Sequence, residues 1–350
     1  VYDLIVSAGE ISRAEISRRT GISSPTVIKI INHFLDLGFV SFDGSGESRV
    51  GRKPRMLRLN PTAACSVGLD FQGDLLRIGI VDLLGGIIRR ESFPIPPDFV
   101  AVLRDLAGPW IEQAIVASGI PRGRISGVGI GVPGAVSVDR RTVEVAPLVG
   151  ITAPLDVGPL VGELEGRLGL PVLIEKDVNA AVLGEYVYRR DQESKDLVYI
   201  SLGVGVGAGV ILDGVLRRGS HNLAGEIGYL SFERGGTADP TRPGWLESRI
   251  GYSTIAADPE AAPGRILEDL AMAIACVTAT LDVDTLVVGG IGAEILGPAL
   301  IEGLNARLES LCLSPVVCSA PVCPDPGVVG AAWIVTESRL EQLLLGEAEA

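Results

Sequence analysis

The segment Thr20-Gly21-Ile22-Ser23-Ser24-Pro25-Thr26-Val27 admits few folds: it ends one helix and starts another within a few residues. Gly21 can take the positive φ that closes the preceding helix, Ser24 can accept from the orphan amide donors of the next, and Pro25 suits the first helical turn. Val27, Ile30, Ile31, Phe34, Leu35 and Leu37 then recur at helical spacing, which leaves Ser23, Ser24, Thr26 and Lys29 on the polar side near the helix start. That is the position from which the second helix of a helix-turn-helix meets base edges. Upstream, Ser12 and Glu15 form a capping-box pattern and Arg18-Arg19 suit the negative end of the helix dipole. Leu4, Ile5 and Ile11 supply the apolar side of a first helix and its exit.

After Gly38, Phe39–Phe42 and Met56–Leu59 read as short strands around a Gly- and Ser-rich loop, so the module over residues 1–62 is winged. Arg49, Arg52, Lys53 and Arg55 lie in or beside the wing, where flexible basic side chains reach phosphates or a minor groove. Charge separates this head from the rest. Residues 1–62 carry nine Lys or Arg against six Asp or Glu, a formal +3, whereas the chain as a whole is −13. An acidic body repels DNA except where the basic head is presented, so the expected partner is a double-stranded operator held by two heads.

With 350 residues the chain has room for two or three domains. No uninterrupted run of about 18 apolar residues occurs, and the chain reads as soluble and cytoplasmic, with no membrane partner. Five cysteines, Cys65, Cys276, Cys312, Cys318 and Cys323, suggest reduced thiols rather than a disulfide framework. Beyond Pro61 the pattern becomes α/β. Strands are expected at 66–71, 75–81 and 86–93, a helix over 100–118 and a strand at 127–132. Strands at 197–202 and 207–212, a helix over 265–281 and a strand at 285–288 repeat that logic. Two lobes, 63–190 completed by a C-terminal helix over 327–350, and 191–326 with an oligomerisation surface, imply a ligand cleft between them.

Several ordered motifs then resemble one family. Gly129-Ile130-Gly131-Val132-Pro133-Gly134, Asp177-Val178-Asn179-Ala180-Ala181, Ser201 to Val210, Ala224-Gly225-Glu226-Ile227-Gly228, Val287-Val288-Gly289-Gly290 and Gly330-Ala331-Ala332 look like the ROK family of repressors and sugar kinases. The winged head resembles the family's transcriptional-regulator branch. The resemblance implies an α+β multi-domain chain: a winged helix-turn-helix ahead of a two-lobed, actin-like (ribonuclease-H-like) α/β body that assembles into dimers or tetramers and takes a sugar or sugar-derived ligand.

By that resemblance Asp177 stands at the position of the kinases' general base, and Glu226 and Glu247 match carboxylates that accept sugar hydroxyls. The phosphate loops depart from the pattern. The family's Asp-x-Gly-Gly-Thr is Asp70-Phe71-Gln72-Gly73-Asp74 here, and its Gly-Thr-Gly is Gly203-Val204-Gly205. A carboxylate and two lost hydroxyls damage grips on which phosphoryl transfer depends. Asp177 is therefore expected to be a vestige, with no catalytic residue and no ATP. The family's structural zinc is also not expected, because Tyr229 replaces the His and no Cys lies between Leu230 and Arg249. Lys176 replaces an Asn and Leu148 another. Lys176 can either pair with nearby acids and fill the pocket or favour an anionic ligand. The stretch from Glu247 to Gly289 is shorter than the family pattern.

The leading expectation is a sugar-sensing repressor that is not an enzyme. The alternatives are a bifunctional ATP-dependent sugar kinase and regulator, and a ligand-independent DNA-binding scaffold with a vestigial pocket.

Overall fold

The computed structural model describes residues 1–42, 55–96, 98–144, 151, 153–189, 195–233, 242–257 and 262–346. The head comprises α1 (Tyr2–Ala8), β1 (Glu10–Ser12), α2 (Arg13–Thr20), α3 (Ser24–Asp36), β2 (Val40–Phe42) and β3 (Met56–Leu59). Ser12 Oγ accepts from the Glu15 amide at 3.2 Å to start α2, and Gly21, at φ 72°, ends it. The cap of α3 is Ser23, not Ser24: Ser23 Oγ accepts from the Thr26 amide, and Ser24 is already helical, its hydroxyl 3.4 Å from that of Ser17. Two consecutive serines leave the cap ambiguous by one residue in sequence. The exit of the first helix is likewise a strand, since β1 pairs with β3 and sets Ile11 opposite Leu57. Ile5, Ile11, Ile16, Val27, Ile31 and Leu57 close the head's core.

The first lobe holds β4 (Cys65–Gln72), β5 (Leu75–Asp82), β6 (Ile87–Pro94), α4 (Phe99–Ala101), α5 (Ala107–Ser118), β7 (Ile125–Val132), β8 (Thr142–Val143), β9 (Leu155–Asp156), α6 (Gly158–Leu168), β10 (Val172–Lys176) and α7 (Asp177–Tyr188). The helix expected over 100–118 is interrupted, because Val102–Leu106 forms a π turn between α4 and α5. The main sheet runs β10-β7-β4-β5-β6. Its hairpin strands β4, β5 and β6 are antiparallel, whereas β4, β7 and β10 run parallel. In β7, Gly127, Gly129 and Gly131 alternate with Val128, Ile130 and Val132, and every residue is buried, as both faces of parallel strands commonly are.

The second lobe repeats the plan with β11 (Leu197–Leu202), β12 (Val206–Leu212), β13 (Val215–Leu216), α8 (Trp245–Ile250), α9 (Tyr252–Ala257), α10 (Ala262–Leu281), β14 (Thr285–Gly289), α11 (Ile291–Leu296), α12 (Pro298–Leu311) and β15 (Val317–Ser319). Its sheet runs β13-β12-β11-β14-β15. The last helix, α13 (Pro326–Leu345), packs on α7, β4 and β7.

The α7–α13 crossing lets backbones approach where side chains would forbid it. A Cβ on Gly330 would lie 1.6 Å from the Ala180 carbonyl oxygen, and one on Gly184 2.0 Å from that of Pro326. The other end of α13 leaves the body: Leu340, Leu343 and Leu344 pack against the core of the head, as does the fully buried Leu83 of the first lobe. Twenty residues of helix span about 30 Å, so one rigid element reaches from the cleft to the head. Among the described residues no helix is long and apolar enough to cross a membrane.

Candidate functional site

The carboxyl ends of β4, β7, β10 and β11 open into a cleft of about 1960 Å³ between the lobes. Lys176, Asp177, Glu226, Tyr229 and Glu247 all line it, and so do Asp70, Gln72, Gly73, Asp74, Gly203, Val204 and Gly205. Residues far apart in sequence are thus collected at one place.

Asp177 opens α7, where its carboxylate accepts from the Val178 amide at 2.7 Å. Burial pushes its pKa up to about 6, against the opposing pull of Lys176 and that amide. Lys176 ends β10 and sends Nζ across the cleft to Glu226 Oε1 at 2.5 Å. Lys176 thus pairs with a nearby acid. Glu247, on α8, accepts from the Val206 amide at 2.9 Å, and burial again raises its pKa. Two half-desolvated carboxylates and a paired third can accept hydroxyl hydrogens from a polyol.

In the first of the two loops, Gln72 Nε2 donates to Asp70 Oδ2 at 2.7 Å, so the side chain that replaces a glycine occupies the buried carboxylate beside it. Burial, with Asp325 and Asp177 nearby, raises the Asp70 pKa to about 7. Across the gap, Val204 Cγ2 lies 3.7 Å from where a Cβ on Gly73 would be, which brings an apolar group against the first loop. The side chains of Asp74, Val204 and the Gln72-bound Asp70 bring neither a hydroxyl donor nor a positive charge to these loops. The remaining basic group here, Arg77, faces Asp325 at 3.5 Å.

At the position of the family's zinc ligands, Tyr229 donates its hydroxyl to the Arg242 carbonyl at 3.4 Å, and the sequence between Leu230 and Arg249 holds no thiolate for a cysteine-rich tetrahedral site. Trp245 caps this region, edge-on to Phe232 and under the Arg249 guanidinium at 4.8 Å. Residues 234–241 and Leu148 lie outside the described residues.

In the head, Ser23, Ser24, Thr26 and Lys29 lie exposed at the start of α3. Thr26 Oγ1 also sits 2.8 Å from Ser23 Oγ, so part of the polar face holds the cap. Arg49, Arg52 and Lys53 lie outside the described residues, while Arg55, at the foot of the wing, stacks its guanidinium 4.0 Å over Phe42. Sequence reasoning missed His221, Glu144 and Tyr252 in the cleft wall. No motif contains them, and only the fold carries them there.

Comparison with known proteins settles the kinship. The model of the ROK family matches residues 66–242, half of the chain, and a winged helix-turn-helix DNA-binding model matches residues 1–41. The chain belongs to the ROK family. It is 34% identical over 222 residues to the xylose repressor of Caldicellulosiruptor bescii, a match that covers 63% of this chain and 54% of the relative. The chain therefore spans about half the length of the curated repressors it matches. A glucokinase of Streptomyces coelicolor is 34% identical over 165 residues, 47% of this chain and 49% of the enzyme. A crystal structure of a ROK transcriptional regulator, a homologue of the E. coli MLC protein, superposes with TM-score 0.74 at 20% identity. It covers 97% of this chain and 94% of that one, and shows that head and body share one known ROK arrangement.

Proposed function

We propose that this chain is a DNA-binding transcriptional regulator of the repressor type whose cleft senses a sugar or sugar-derived molecule and does not phosphorylate it. One observation carries the reading: α13 packs a winged head against a body whose cleft keeps Asp177, Glu226 and Glu247 but sets Asp74, Val204 and a Gln72-bound Asp70 where phosphates would be held. The xylose repressors among the relatives support the same reading. The heads bind an operator in pairs in the cytoplasm, the dimer or tetramer being built by the bodies. A ligand between the lobes shifts their closure and thereby the setting of the heads. The site takes neither ATP nor zinc.

The test is operator binding by the full chain, measured with fragments from its own promoter region as salt is varied. Lys29→Ala, and Arg52→Ala with Lys53→Ala, are expected to weaken binding and to flatten the salt dependence by about one phosphate contact for each lost charge that faces a phosphate. Unchanged affinity and slope in all three would remove the operator reading.

A kinase and regulator in one chain is the second reading, favoured by Asp177, whose pKa near 6 suits a general base. Sugar-dependent ADP release that disappears in Asp177→Ala would establish it.

A further inference from the structure

Two consecutive residues of β10 each grip the opposite lobe with opposite sign. Glu175, fully buried, accepts from Arg218 Nε at 2.8 Å and from Asn179 Nδ2 at 2.9 Å. Lys176, its side chain 6% exposed, donates to Glu226 at 2.5 Å. The alternation of a strand sends Glu175 to one side and Lys176 to the other, so only the lysine faces the cleft. Its ammonium lies close over β12, 3.8 Å from where a Cβ on Gly207 would stand.

The rest of the wall makes this pairing decisive. Among the described residues that line the cleft, nine carry carboxylates, against one guanidinium, Arg77, one ammonium, Lys176, and the imidazole of His221 at its exposed wall. Arg77 already faces Asp325, and Lys176 is held by Glu226. An anionic ligand would meet excess negative charge and would have to share the cleft's one ammonium with the Glu226 carboxylate that already holds it. An uncharged sugar faces no such cost. Its hydroxyl hydrogens satisfy Asp177 and Glu247, and its oxygens accept from the ammonium donors that Glu226 does not use, since an ammonium has three.

We propose that Lys176 is the specificity-determining residue of the cleft and that, clamped by Glu226, it selects uncharged sugars against sugar phosphates and sugar acids. This rests on the reading that the cleft binds a sugar.

The experiment is a thermal-shift and calorimetric titration of the full chain with xylose and glucose, their phosphates, and xylonate and gluconate. Wild-type protein is expected to bind at least one uncharged sugar at least tenfold more tightly than its phosphorylated and oxidised forms. Glu226→Gln frees the ammonium and removes a negative charge, so the ratio of sugar-acid to sugar affinity should rise at least tenfold. Lys176→Gln should lose affinity for the uncharged sugar without gaining the acid. A wild type that prefers the anionic form overturns this proposal and leaves the sensing reading intact, as does an unchanged profile in Lys176→Gln. Silence toward every compound removes the sensing reading and this proposal with it. The wild-type panel decides the charge class even where a variant does not fold.

Discussion

His33 Nε2, on the helix whose start carries the exposed Ser24, Thr26 and Lys29, stands 2.9 Å from the carbonyl oxygen of Leu344 at the far end of α13. A carbonyl only accepts, so this nitrogen holds the hydrogen and donates it. The bond orphans neither group, closes the last turn of α13, and fixes α3 to a helix whose other end abuts the cleft. Gly346, at φ 75°, ends that helix beside Leu37 and His33. His33→Ala is expected to cost about 1 kcal/mol of head stability and to reduce the effect of ligand on operator affinity. Hydrogen exchange at the amides of α3, with and without the bound sugar, checks both. Equal ligand-induced changes in variant and wild type would show that the heads are set by another route.

The crossing of α7 and α13 makes a second, sharper expectation. Gly330→Ala puts a methyl group 1.6 Å from a backbone oxygen that cannot swing aside, and the helices must separate. A loss of about 3 kcal/mol or more follows from overpacking of this kind. On α6, by contrast, a Cβ at Gly166 meets nothing within 4 Å, and Gly166→Ala is expected to stabilise by about 0.5–1 kcal/mol. Chemical denaturation of the two variants side by side tests whether space or helix propensity decides.

Much of this architecture was legible because local patterns carried it. The strand expected at 197–202 matches β11 in full, and Gly21 and the Ser12–Glu15 box end and begin α2 where the residues said they would. The residues singled out beside the ROK motifs line one cleft. What stayed hidden depends on partners distant in sequence. β1 is too short to show a period, and its pairing with β3 is created by the fold. Leu340, Leu343 and Leu344 read as the apolar side of a helix whatever they pack on, so their place in the head's core was invisible. Glu175 with Arg218, and Asp325 with Arg77 and Arg90, are pairs that no spacing rule brings together.

Asp70 gives the first pH expectation. Its folded pKa is raised from 3.8 to about 7 by burial and by the neighbouring Asp325 and Asp177. The folded state therefore holds a proton that the unfolded chain releases. That contribution to stability is fully present below the unfolded value and is lost as pH rises through about 7. Wild-type Tm should fall between pH 5 and 8, and Asp70→Asn, which keeps the shape and removes the ionisation, should flatten that fall and melt higher than wild type at pH 8. A steeper fall in the variant would place the pH-sensitive group elsewhere.

Asp177 gives the second, and here binding rather than folding reports it. A carboxylate is an acceptor at both oxygens only when ionised, and burial has moved its pKa up to about 6. A sugar hydroxyl that donates to Asp177 binds the ionised form, so affinity for an uncharged sugar should drop as pH falls through about 6 and level off above 7. Lys176 opposes the shift, and Lys176→Gln should move the midpoint upward. Asp177→Asn keeps one acceptor oxygen, binds more weakly at pH 8, and should lose this pH step altogether. Titration calorimetry from pH 5 to 8 distinguishes the three proteins, and a step that survives in Asp177→Asn would assign it to Glu247, the other cleft carboxyl that burial has raised.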